Sequence, residues 1–208
     1  MSEPEVVELG DSSLLVRFGP GGEDRALAVA EALRRADPPG LEDVAVAYHT
    51  LAVYFDPVLA PAERLAELAL EESLSEAARA PDAPLCTIAV RYDGEDLGEV
   101  ARACGLVPGD VVELHASVEY QVRAVGFVPG FAYLGELDER LRLPRRDAPR
   151  ARVPVGAVAI AGAQTAVYPL VTPGGWHLIG RTDTVMFDPG RQPASLLAVG
   201  ARVRFVPT

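Results

Sequence analysis

The sequence predicts an α+β N-terminal domain, residues 1–80, followed by a mostly-β barrel domain, residues 85–208. Two observations carry this. Paired strand-like runs and amphipathic helical patterns fill the first part, whereas short apolar runs with closely spaced turns fill the second. The change coincides with Ala80-Pro81-Asp82-Ala83-Pro84, a short stiff segment of the kind that separates domains.

The elements follow in order. Val6 to Leu9 and Ser13 to Phe18 read as strands around the turn Gly10-Asp11, and Gly19 to Gly22 breaks the run. Glu23 to Ala36 carries Leu27, Ala30 and Leu33 on one helical face, with Arg34 and Arg35 near the end, where cations favour the dipole. Val44 to Tyr48 and Leu51 to Phe55 are strand-like. Pro61 opens a long helical pattern, Ala62 to Ala80, with Leu65, Leu68 and Ala69 inward. This order predicts an antiparallel sheet with helices on one side. In the second part, strands are expected at Leu85 to Arg91, Val118 to Val125, Val155 to Ile160, His177 to Ile179, Val185 to Phe187 and Arg202 to Val206. Short helices at Leu97 to Cys104 and Gly109 to His115 interrupt them, the pattern of a closed barrel with covering helices.

Composition excludes several functions. The chain contains no lysine, so its 19 basic residues are all arginine. A phosphate-loop NTPase, a Schiff-base enzyme and a biotin carrier each need a lysine, so none of these can be this chain acting alone. A net charge of -11 argues against a nucleic-acid partner. No window reaches the roughly 20 apolar residues of a membrane helix, and the N-terminus lacks signal-peptide features, so a cytoplasmic protein is expected. The two cysteines, Cys86 and Cys104, read as ordinary buried thiols, and no metal-type cluster is present. Nor is there a GxSxG elbow or an HExxH pair, one of which a self-sufficient hydrolase would normally carry.

The chemistry-bearing tract is Gly126 to Thr182, where Gly and Pro alternate with Phe127, Phe131, Tyr133, Tyr168 and Trp176 rather than with polar filler. That composition suits the wall of a rigid pocket. Arg140, Arg142, Arg145, Arg146, Arg150 and Arg152 crowd the same tract, an arginine island suited to holding a carboxylate or other anion. Each residue also has a plainer reading. The aromatics, with Pro129 between them, would serve as barrel core, and Arg145 and Arg150 as surface charges paired with Asp138, Glu139 and Asp147. His115 reads equally as a helix-end histidine or a general base, whereas His49 and His177 are assigned to structure. Gln164 and Thr165 follow a glycine after an apolar strand, where side chains reach a barrel mouth or make structural hydrogen bonds.

Gly126-Phe127-Val128-Pro129-Gly130-Phe131-Ala132-Tyr133-Leu134, Pro144-Arg145 and Pro149-Arg150 with Val153-Pro154, Ile160-Ala161-Gly162-Ala163-Gln164-Thr165, Tyr168-Pro169, Pro173-Gly174-Gly175-Trp176 and Gly180-Arg181-Thr182 together resemble the 5-oxoprolinase B-subunit family. Members of that family are also labelled allophanate hydrolase subunit 1 and Kip-type kinase inhibitor. The resemblance runs from Leu9-Gly10-Asp11 to Val203-Arg204-Phe205, with Ala201 replacing an Asp that the family tends to carry. It implies a ferredoxin-like N-terminal domain and a cyclophilin-like barrel. It further implies work with the A and C subunits of 5-oxoprolinase in opening the lactam of 5-oxoproline to L-glutamate at the expense of ATP, which is shared with those partners.

On that reading the chain supplies part of a composite site. His115, Arg145, Arg150, Gln164 and Thr165 are the catalytic candidates, and Phe127, Pro129, Phe131, Tyr133, Tyr168, Trp176 and Arg181 the substrate-binding ones, with no metal. The competing class is a regulatory protein that docks on a histidine kinase through an exposed apolar patch; allophanate or urea-carboxylase-type activity ranks lower. The enzyme reading requires Phe127, Arg145, Gln164, Tyr168 and Arg181 to converge on one concavity.

Overall fold

The computed structural model describes residues 4–74, 83 and 85–208. By contacts the chain forms two compact units, Met1–Asp82 and Ala83–Thr208. The expected linker, apart from Ala83, and the last residues of the expected helix 62–80 lie outside the described residues.

In the first unit, β1 (Glu5–Glu8), β2 (Ser13–Arg17), α1 (Glu23–Ala36), β3 (Leu41–Ala47), β4 (Thr50–Phe55) and α2 (Ala62–Leu74) follow one another. The strands form one antiparallel sheet in the order β1-β2-β4-β3. β4 therefore inserts between β2 and β3, and α1 makes the crossover, as in a split βαβ unit. Alternation aims Leu14, Val16, Leu51, Val53 and Phe55 at α1, which buries Ala26, Leu27, Val29, Ala30 and Leu33. Arg25 ties the helices together, donating from Nε to the Ser73 carbonyl at 2.8 Å.

The second unit runs β5 (Leu85–Val90), α3 (Leu97–Ala103), α4 (Pro108–Ser117), β6 (Glu119–Val125), β7 (Ala132–Gly135), β8 (Arg150–Val153), β9 (Ala157–Ala161), β10 (Gln164–Val167), β11 (Thr172–Gly174), β12 (His177–Arg181) and β13 (Arg202–Pro207). Seven strands form a sheet in the order β12-β9-β10-β7-β6-β13-β5, with β5 and β13 parallel. The sheet nearly closes into a barrel. At its seam Arg91 and Arg181 exchange backbone hydrogen bonds of 2.9 and 2.8 Å. β8 and β11 make a separate ribbon.

The barrel core joins Ile88, Val90, Val122, Leu134, Val158, Ile160, Ile179, Val203 and Phe205 to Val100 and Val111 of the helices. Pro108 starts α4, and Asp110 caps it by accepting the Val107 N–H at 3.1 Å. Three expectations need correction. Val185 to Phe187 is no strand, since only Phe187 makes an isolated bridge, to Ser195. The expectation also missed β7, β8, β10 and β11. Cys86 and Cys104 are half-buried rather than buried, and burial raises both thiol pKa values. Among the described residues no helix is long and apolar enough to cross a membrane.

Candidate functional site

The Gly-Pro-aromatic tract folds around a small cavity of about 200 Å3. Phe127 and Phe131 reach it from the turn before β7, Tyr133 from β7, and Tyr168 from the turn after β10. Pro173 and Gly174 of β11 supply another wall with Gly175 and Trp176. Arg145 and Pro149 come from the segment before β8. Phe131 is the hub, edge-on to Phe127, Tyr133, Tyr168 and Trp176 with ring centroids 4.9–5.7 Å apart. Such edge-to-face packing fixes ring planes. A Cβ at Gly174 would collide with the Tyr168 hydroxyl and ring, so a side chain there would require that ring to move. Burial raises the Tyr168 pKa, so the phenol stays protonated and can serve as a hydrogen-bond donor.

Phe127 is the unusual member. Its ring is 60% exposed, yet its backbone is left-handed at φ 70°. The Val128 N–H donates to the Gly126 carbonyl at 2.9 Å, closing a γ-turn around Phe127. A non-glycine residue at positive φ costs about 1–2 kcal/mol. The fold holds an exposed ring over the cavity mouth in spite of that cost.

The arginines divide sharply by environment. Arg140 pairs with Asp138 at 2.8 Å and Arg142 with Glu136 at 2.8 Å. Arg146 Nη1 lies 2.9 Å and Arg150 Nη2 2.7 Å from the same oxygen of Asp96, and Arg150 Nε lies 2.6 Å from Glu95. Burial opposes the charge of Arg150, but the hydrogen bonds and fields of Asp96 and Glu95 outweigh it and raise its pKa. The surface partners expected for Arg150 are thus replaced by acids from the start of α3. Arg145 is exposed and lines the cavity, and among the described residues it has no ion-pair or hydrogen-bond partner.

Of the expected site residues, the cavity brings together Phe127, Phe131, Tyr133, Arg145, Tyr168 and Trp176. The others lie elsewhere. Arg181 lines a different cavity, of about 590 Å3, and pairs with Asp93 at 2.6 Å. Pro129 is exposed in the turn beside Phe127, and Gln164 is half-buried where β10 meets Gly135 of β7. His115 and Thr165 are fully buried. Thr165 donates to the Ala159 carbonyl at 3.0 Å, so its oxygen accepts from His115 Nε2 at 2.8 Å. His115 Nδ1 then accepts from the Tyr92 hydroxyl at 2.7 Å. Burial lowers the His115 pKa to about 3, so this neutral imidazole acts as a fully satisfied internal strut. His177 donates through Nε2 to the Pro144 carbonyl, 2.9 Å away.

Sequence reasoning missed Asp96. Tyr92-Asp93-Gly94-Glu95-Asp96 reads as a solvated turn, and no local pattern signals that its last acid is buried against residues some fifty positions on. Among the described residues no group of three or more His, Cys, Asp or Glu side chains could hold a metal.

Residues 4–197 match the family described as carboxyltransferase domain, subdomain C and D. The 5-oxoprolinase B subunit of Bacillus subtilis (strain 168) is 35% identical over 227 residues, covering 97% of this chain and 92% of the relative. The chain belongs to the 5-oxoprolinase B-subunit family. The crystal structure of TTHA0988 superposes with a TM-score of 0.85 at 46% identity, over 94% of this chain but only 40% of that longer one. At the level of fold alone, the Kluyveromyces lactis urea carboxylase matches 99% of this chain and 22% of its own, at a TM-score of 0.71 and 16% identity. The chain is thus a mixed α/β member of a carboxyltransferase-type fold with a nearly closed barrel.

Proposed function

We propose that this chain is the B subunit of an ATP-dependent 5-oxoprolinase, working with the A and C subunits to open 5-oxoproline to L-glutamate. The observation that carries this reading is an unpaired guanidinium beside a small aromatic cavity. A five-membered lactam offers a flat apolar ring and a single carboxylate; the cavity offers edge-fixed aromatics and Arg145. Its volume, about 200 Å3, falls below the roughly 300–1,000 Å3 of sites for drug-sized ligands, which suits a ring of this size.

A lactam is a poor electrophile. In the proposed reaction its oxygen takes the γ-phosphoryl group of ATP, releasing ADP. Water then adds to the activated carbon and the C–N bond breaks with a proton passing to nitrogen, leaving the acyl phosphate of glutamate, and a second water hydrolyses that acyl phosphate to the carboxylate and free phosphate. This chain binds and orients the substrate, and ATP is held by the assembly, since a lysine-free chain carries no phosphate-loop lysine. The reading includes a cytoplasmic heteromeric complex, domains at 1–80 and 85–208, and a cyclophilin-like barrel. It also takes the N-terminal sheet as a ferredoxin-like arrangement whose edge strand, β1, precedes the split βαβ unit instead of following it.

The test is 5-oxoproline-dependent ATP turnover by the reconstituted complex. Arg145→Lys keeps the charge but loses the planar fork, so turnover should fall on the order of tenfold to a hundredfold with melting unchanged. Arg34→Lys, on α1, should leave turnover intact. Equal activities for the two variants would remove the cavity from the reaction.

A further inference from the structure

We infer that Asp96 is the positioning residue for Arg145. This inference rests on the reading of the aromatic cavity as the substrate site. The segment carrying Arg145 is fastened on both sides. Before it, the Leu143 carbonyl accepts from Gly162 N at 2.7 Å, and the Pro144 carbonyl meets His177 Nε2 at 2.9 Å. After it, Arg146 N donates to the Gly175 carbonyl at 2.8 Å, beside Trp176.

The side chains of Arg146 and Arg150 both close on Asp96 Oδ1, while Asp96 Oδ2 accepts from Leu178 N at 2.7 Å. Asp96 is 3% exposed, so one buried carboxylate joins the start of α3, strand β12 and the arginine segment. With Glu99, 3.4 Å from Arg146, and Glu95, 2.6 Å from Arg150, it holds the two neighbouring guanidinium groups in ion pairs away from a ligand. Arg145 alone is left to meet a ligand. This acid engages both neighbouring cations, and Arg145, which lines the aromatic cavity, is left without an ion pair among the described residues.

The test is a double-mutant cycle of Asp96→Asn and Arg145→Lys in the complex with the A and C subunits, with Arg34→Lys as control. Asn keeps the acceptor for Leu178 N and removes the charge. Asp96→Asn should raise the KM for 5-oxoproline on the order of tenfold beside Arg145, but less than about twofold in the Arg145→Lys background. Any loss in melting temperature should be the same in both backgrounds. Asp96→Glu, which restores the charge on a longer side chain, should recover part of the KM; should Asn fail to fold, the smaller KM rise of Glu should likewise appear beside Arg145 and vanish in the Arg145→Lys background. Independently of turnover, phenylglyoxal followed by mass spectrometry should modify Arg145 and spare Arg146 and Arg150 in the unaltered chain. Asp96→Asn should expose all three. An inactive unaltered complex would remove the functional reading, and the reagent would still decide the clamp. Additive KM losses, or continued protection of Arg146 and Arg150 in Asp96→Asn, would overturn the inference.

Discussion

His115 carries a pH signature of its own. Its pKa is lowered by burial from 6.5 to about 3, so between those values the unfolded chain takes up a proton that the native chain refuses. The sign follows directly: the contribution is complete above about 6.5 and drains away as pH falls, at a limiting rate of about 1.4 kcal/mol per pH unit. His115→Gln keeps an acceptor and a donor but cannot titrate. It should be less stable at pH 7, because it disturbs the bonds to Tyr92 and Thr165, yet its stability should fall less between pH 6.5 and about 5. Urea denaturation of both proteins across that range checks this, and parallel pH profiles would mean the imidazole is not held neutral. The residue scale is also where the sequence is least legible. Aromatics beside Pro-Gly turns signal a pocket wall, because turn residues rarely keep such company. The two arginines expected to be catalytic cannot be told apart in the sequence, because what separates Arg145 from Arg150 is Asp96, an acid far away in the chain.

At the scale of elements, the apolar period and the closing arginines located α1, whose limits match the expected Glu23 to Ala36. They failed for β8, β10 and β11, strands of three or four residues set among Gly and Pro, too short to display alternation. The Gly126–Phe131 turn yields a prediction that runs against ordinary propensity. Because Phe127 sits at φ 70°, Phe127→Gly should be more stable than Phe127→Ala by about 1 kcal/mol, as both lose the ring and only glycine loses the strain. Denaturant midpoints decide it; alanine equal to or above glycine would mean that the left-handed turn costs nothing. The barrel seam is equally specific. A Cβ on Gly180 would lie 2.7 Å from the Arg91 carbonyl oxygen and 2.9 Å from Val90 Cγ1, so Gly180→Ala should cost about 2 kcal/mol or more and speed hydrogen exchange at the Arg91 and Arg181 amides. Gly98→Ala, in α3 with open space around it, should instead stabilise by about 0.5–1 kcal/mol. Matching losses at the two glycines would show that the seam is not tightly closed.

At the scale of the molecule, the mixed α/β character was readable, since it depends on composition summed over many residues. A barrel was also expected, but not where it closes, because the seam rests on Arg91 meeting Arg181 across ninety residues of chain. Function at this scale turns on what one chain can supply. The cavity has room for a small ring acid, and Arg145 can hold its carboxylate, but the wall contains no side chain suited to removing a proton from water. Tyr168 is kept protonated by burial, and His115, the remaining candidate base, spends both nitrogens inside the core. The purified chain should therefore neither hydrolyse ATP nor open 5-oxoproline, although it should bind 5-oxoproline weakly enough to need millimolar ligand and signal it through Trp176, its only tryptophan. On the proposed reading, in which this chain holds the ring, adding the A and C subunits should restore turnover without any change in the fluorescence response to substrate. Robust ATP hydrolysis by a homogeneous preparation of the chain alone would overturn the composite site. A Trp176 signal that develops only in the assembled complex would move the ring site to an interface.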